Sequence, residues 1–151
     1  MARIREKGEG FPKEKLYVIA RSMLDSFPTN PALRGFVITD AGYFPHARHH
    51  LRQRVRGCEQ NIFIYCDEGE GFVSIEGNVT HLSAGQAITI PEKTGHLYGA
   101  SKDNPWSIFW FHFAGDFTPI YVPRALSGRG IQIPESSQMV ILSLFSQIFI
   151  P

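Results

Sequence analysis

Residues 48–58 read Arg-His-His-Leu-Arg-Gln-Arg-Val-Arg-Gly-Cys, so that Arg52, Arg54 and Arg56 alternate with neutral residues. On a strand, side chains point to opposite faces in turn. The three arginines would then share one face, and Leu51, Gln53 and Val55 the other. A guanidinium offers a rigid fork of donors that fits carboxylates, phosphates and vicinal hydroxyls. Such a row belongs either on a wet outer face or turned inward toward an oxygen-rich ligand. Small barrels either fill their interior with side chains or enclose one small molecule, and inward polar groups mark the second case.

His46, His49, His50, His81, His96 and His112 are numerous enough to supply the imidazoles of a metal site. Their spacing is less favourable. His49 and His50 are adjacent and face opposite ways on a strand, His46 follows Pro45 in a turn, and His81 lies in a turn-rich stretch. Ser74 and Ser107 lack a G-x-S-x-G elbow. Cys58 and Cys66 form no C-x-x-C pair and read as reduced packing residues. The Asp67-Glu-Gly-Glu-Gly71 run reads as a solvated hairpin turn and not as a phosphate-cradling loop, because it joins two strands. No catalytic residue and no cofactor is expected.

The elements that must carry these residues follow from pattern. With 151 residues, 43% of them hydrophobic, one domain has enough chain for a real core. Residues 13–27 place Leu16, Ile19, Ala20, Met23 and Phe27 at near-helical spacing, which predicts a short helix or helical turn. From Gly35 the texture turns to short β-like runs (FVIT, NIFIYC, GFVSIEG, VTHLSAG, QAITIP, HLYGA, WSIFWFHF) separated by turn residues, which predicts a small β-barrel or sandwich. Residues 139–150 hold nine apolar residues of twelve behind a Pro134-Glu-Ser-Ser helix start. A helix that apolar must pack on the barrel, on another helix or on a second copy. The expected divisions are residues 1–34 as arm and helical segment, 35–133 as the barrel and 134–151 as the start of a C-terminal helix. The ending at Pro151 is expected to be a cut from a longer protein. A net charge of +1 lacks the basic excess of a domain that grips nucleic acid. No apolar run reaches the ~20 residues of a membrane span, and the expected location is the cytoplasm.

The run from Cys58 to Gly71, Gly85–Pro91 (G-x-x-x-x-x-P), His96–Gly99 (H-x-Y-G) and Pro105–Phe113 (PW-x-x-x-W-x-x-F) together resemble the N-terminal cupin-type regulatory domain of AraC-family transcription regulators. The resemblance covers residues 35–116 best. It implies a mainly β, cupin-like jelly-roll barrel with a short N-terminal helical segment and a C-terminal helix. Metal-binding cupins carry an H-x-H pair and a Glu in the first motif. This chain keeps only the later His96 and has arginines where those histidines would stand, and a guanidinium repels a cation. In sugar-responsive relatives an arginine, a tyrosine and a tryptophan line the pocket, which match Arg54, Tyr98 and Trp110 here. A threonine falls near Thr39, His96 and Arg52 join the expected ligand-binding residues, and Ile108 replaces the family's imidazole.

The resemblance therefore implies a sensor of a sugar or related small polar molecule, not an enzyme. It would form homodimers through its C-terminal helix and reach DNA only through a helix-turn-helix domain that this chain lacks. Two other readings remain: a metal-dependent cupin enzyme using His96 with His46 or His50, and a dimerisation module whose barrel is filled by its own aromatics.

Overall fold

In a computed structural model, residues 6–122 and 126–150 are described. Two antiparallel sheets face each other. One has the order β1 (Lys15–Val18), β2 (Val37–Phe44), β9 (Ser107–Ala114), β4 (Asn61–Glu68), β7 (Gln86–Ile90) and β10 (Ile131–Gln132). The other runs β3 (Leu51–Arg54), β8 (His96–Ala100), β5 (Glu70–Ile75), β6 (Asn78–Ser83). The helices are short, α1 (Arg21–Leu24), α2 (Pro31–Gly35) and α3 (Thr118–Tyr121), except for α4 (Glu135–Ile148). The seven β-like runs all form strands. The expected barrel is a double-sheet jelly roll, because hydrogen bonding does not continue from one sheet to the other.

Alternation along each strand builds the core. Ile62, Ile64 and Cys66 of β4, Ile88 and Ile90 of β7, Ile108 of β9 and Val73 of β5 are all buried between the sheets with Trp106. The run NIFIYC is apolar on both faces because its outer face is covered as well: Phe63 and Phe111 stack at 4.9 Å beneath α4. Phe145 of α4 is buried against Phe109 and Phe111, with ring centroids 5.0 and 5.9 Å away. The opposite side of α4 leaves Met139, Val140 and Leu144 exposed. Cys66 and Cys58 are free thiols, and burial pushes the Cys66 thiol up to about 12.

Two local expectations are corrected. Residues 15–18 form an edge strand, not a helix: Lys15–Val18 pair with Asp40–Tyr43, and the Ile19 amide donates to Thr39 O at 2.9 Å. The unpaired edge of β2 offers these residues a ladder that an isolated helical turn cannot match, so tertiary pairing overrides the spacing. The expected helical segment is present as two short turns, Arg21–Leu24 and the 3-10 turn Phe27–Thr29, and Met23 is exposed. The Asp67–Gly71 run is also no hairpin. Gly69, at φ +69°, carries the chain from one sheet into the other, and a Cβ there would press on Pro105 O.

Docking of α4 depends on Phe145. Phe145→Ala should cost about 3 kcal/mol, or a fall in Tm of roughly 6–12 °C. Denaturant unfolding of the two proteins checks this, and a loss below about 1 kcal/mol would mean that α4 is not packed as described.

Candidate functional site

One cavity of about 100 Å³ lies between the sheets where the aliphatic core ends. Its polar wall is Asp40 from β2, Arg52 and Arg54 from β3, Tyr98 from β8, and Trp110 and His112 from β9. Phe44, Ile64 and Ile108 form its apolar side. His50, just before β3, closes one end, while Gly8 and Glu9 of the N-terminal arm and Leu16 and Val18 of β1 lie over it.

Arg54 is the central group. In the β3–β8 ladder it stands opposite His96, and Arg52 stands opposite Tyr98. Its Nη1 donates to Tyr98 Oη and to His96 Nε2, both at 3.2 Å. His96 Nδ1 lies 2.9 Å from Thr94 O, a pure acceptor, so Nδ1 carries the proton and Nε2 offers its lone pair to Arg54. Burial lowers the His96 pKa, opposed by the Thr94 bond and reinforced by Arg54 and His112, so the ring stays neutral. Among the described residues no carboxylate stands within ion-pairing distance of Arg54. Its charge is solvated by neutral acceptors and faces the cavity.

Opposite lies a carboxylate that is already occupied. Asp40 accepts from the Thr39 hydroxyl at 2.6 Å through Oδ1, and His112 Nδ1 lies 3.0 Å from Oδ2. Burial alone would raise the Asp40 carboxyl. The His112 bond and charge, the Thr39 hydroxyl and Arg54 together bring it below the ordinary carboxylate value. Asp40 reaches the cavity through a β-bulge: the β2–β9 register slips between Ile38 and Asp40. Ile38 faces α4 on the outside, whereas Asp40 two residues later points in.

Two buried donors complete the wall. Trp106 Nε1 donates to His50 Nδ1 at 3.1 Å, which leaves the His50 proton on Nε2, and that atom has no protein partner. Burial, then the charge of Arg52, depress the His50 pKa to about 3. Trp110 Nε1 is likewise buried without a partner. The Trp110 ring lies flat on Gly42, where a Cβ would overlap the indole. Arg52 packs on Gly8 and faces Glu9 at 3.9 Å.

Of the expected site residues, Arg54, Tyr98, Trp110 and Arg52 line the cavity. His96 supports Arg54 from behind, and Thr39 supports Asp40, without lining the cavity. Arg56 departs from the predicted row, because β3 ends at Arg54 and Arg56 is exposed in the following turn. The residues proposed as metal ligands are engaged elsewhere: His46 is exposed 3.8 Å from Glu68, His50 accepts from Trp106, and His96 is bonded through both nitrogens. Among the described residues no three His, Cys, Asp or Glu side chains converge. Sequence reasoning missed Asp40, His112 and His50 in the wall. His112 and Trp110 alternate on one strand, a signal that was present, but Asp40 depends on a bulge that alternation does not announce.

Known proteins similar to this chain include a sequence family, a curated regulator and solved structures. The family described as "AraC-like ligand binding domain" matches residues 41–150. The MmsAB operon regulatory protein of Pseudomonas aeruginosa is 31% identical over 102 residues, which are 65% of this chain and 33% of that protein, so the chain spans about a third of its length. Among solved structures, YhaK from Escherichia coli aligns with a TM-score of 0.49 at 12% identity, over 80% of this chain and 51% of YhaK. The Cupin_2 domain of an XRE family transcriptional regulator from Enterobacter cloacae aligns with a TM-score of 0.43 at 15% identity, over 67% of this chain and 96% of that domain. With a family match running from β2 to the end of α4, the chain belongs to the AraC-like ligand binding domain family.

Proposed function

We propose that this chain is the effector-sensing part of a longer transcription regulator. It takes a sugar or related small polar molecule into the cavity and has no catalytic role of its own. The observation that carries this reading is Arg54, a permanent charge turned into the cavity with only neutral partners, Tyr98 and His96, beside it. An oxygen-rich ligand supplies the acceptors that Arg54 lacks, and the Trp110 indole offers a flat face.

The arm supplies a route from ligand to output. Glu9 faces Arg52, and Leu16 and Val18 lie over the cavity, so a ligand that engages Arg52 competes with Glu9 and favours one arm position. The output is DNA binding by a part of the protein outside this chain, in the cytoplasm. The MmsAB operon regulatory protein, about three times the length of the matched stretch, is consistent with such a further part. Pairing of two copies through the exposed side of α4, at Met139, Val140 and Leu144, would present two DNA-reading units to two half-sites.

Thermal unfolding against monosaccharides, disaccharides and sugar acids tests the sensor reading. A ligand at ~100 times its Kd adds about 2.7 kcal/mol, or roughly 5–11 °C in Tm. The shift should vanish in Arg54→Ala. No shift with any small polar molecule, or a shift indifferent to Arg54, would contradict the reading. Sedimentation equilibrium should find a dimer that Val140→Asp converts to monomer; a wild-type monomer at high concentration would remove α4 as the pairing surface.

A further inference from the structure

We propose that the molecule held in this cavity is a small monocarboxylate with a short apolar tail, of about four to six non-hydrogen atoms. This rests on the sensor reading, keeps its small polar molecule and sets the sugar aside. The first observation is the polarity of the wall. His50 Nε2 and Trp110 Nε1 are donors with no protein partner, on residues only 2% and 9% exposed, and among the described residues Arg54 has no carboxylate within ion-pairing distance. Tyr98 Oη accepts from Arg54, so its own proton is free to donate as well. Asp40, half-buried in the wall, already has one partner at each oxygen, Thr39 and His112. A sugar hydroxyl must donate as well as accept, and the wall leaves its protons only the spare lone pairs of Asp40 and the exposed Glu9 carboxylate. A carboxylate only accepts, through about four lone-pair sites, and suits a cavity whose lining residues carry several unanswered donors.

Size points the same way. The cavity measures about 100 Å³. A dry engineered cavity of ~150 Å³ holds benzene, with its ~6 ring atoms. A monosaccharide of roughly ten to twelve non-hydrogen atoms is therefore about twice too large. Inorganic phosphate is small and acceptor-rich, but it has nothing to set against Phe44, Ile64 and Ile108, which form the opposite side. A two- to four-carbon acid places its oxygens on the donors and its carbons on that surface. The neutral tautomer of His50 strengthens the match, since burial and Arg52 hold the ring unprotonated and its Nε2–H remains a donor across the working pH range.

Titration calorimetry of this chain with propionate, L-lactate, propionamide, phosphate and D-glucose decides the matter. Propionate or L-lactate should bind, with propionamide at least tenfold weaker. Trp110→Phe and Arg54→Gln should each weaken the acid by about ten- to hundredfold, the effect of one lost hydrogen bond to a charged group. Circular dichroism verifies that both variants fold. Binding of D-glucose or phosphate without binding of either acid would overturn the carboxylate assignment and leave the sensor reading standing. Equal binding of propionate and propionamide would also overturn it. If none of the five binds, the carboxylate assignment falls, and the sensor reading stands or falls with the thermal-unfolding series of sugars and sugar acids.

Discussion

An arginine cannot shed its charge, so a fold that turns one inward must provide acceptors for it. Here Arg54 is held by Tyr98 and by a histidine whose other nitrogen is bound to the backbone at Thr94. That second bond fixes the His96 tautomer, and the tautomer gives Arg54 a lone pair instead of a competing proton. The guanidinium is positioned by neutral partners and faces the cavity.

The two sheets contribute opposite halves of the site. The four-stranded sheet supplies the donors Arg52, Arg54 and Tyr98. The six-stranded sheet supplies Trp110 and the Asp40–His112 pair, brought inward by the bulge at Thr39. Because Asp40 is satisfied by its own sheet, it lowers the local positive potential without quenching Arg54. The dry aliphatic end of the sandwich gives the scaffold its rigidity, and α4 covers the outer face of the sheet that carries Trp110.

Much of this was legible in residue order. Short β-like runs between turn residues located the seven strands expected after Gly35, and the family resemblance pointed to Arg54, Tyr98 and Trp110, which line the cavity. The failures share one physical cause, which is that pairing partners far along the chain decided the outcome. Leu16 and Ile19 read as a helical face, yet the open edge of β2 captured that segment as a strand. Thr39 was expected in the wall, but one extra residue in β2 turned Asp40 inward instead. The row of arginines broke at Arg56 because the ladder with β8 ends at Arg54. The orphaned protons of His50 and Trp110 had no signature in sequence, since they arise from the Trp106 bond and the packing on Gly42.

Nitrogen-15 NMR of the histidine rings tests the arrangement around Arg54 most directly. Burial and the nearby Arg54 lower the His96 pKa, so the ring should remain neutral through the pH range in which an exposed histidine protonates, with Nδ1 protonated and Nε2 bare. A His96 that titrates at or above the ordinary histidine value, or that carries its proton on Nε2, would leave Arg54 facing a donor and contradict the site as described.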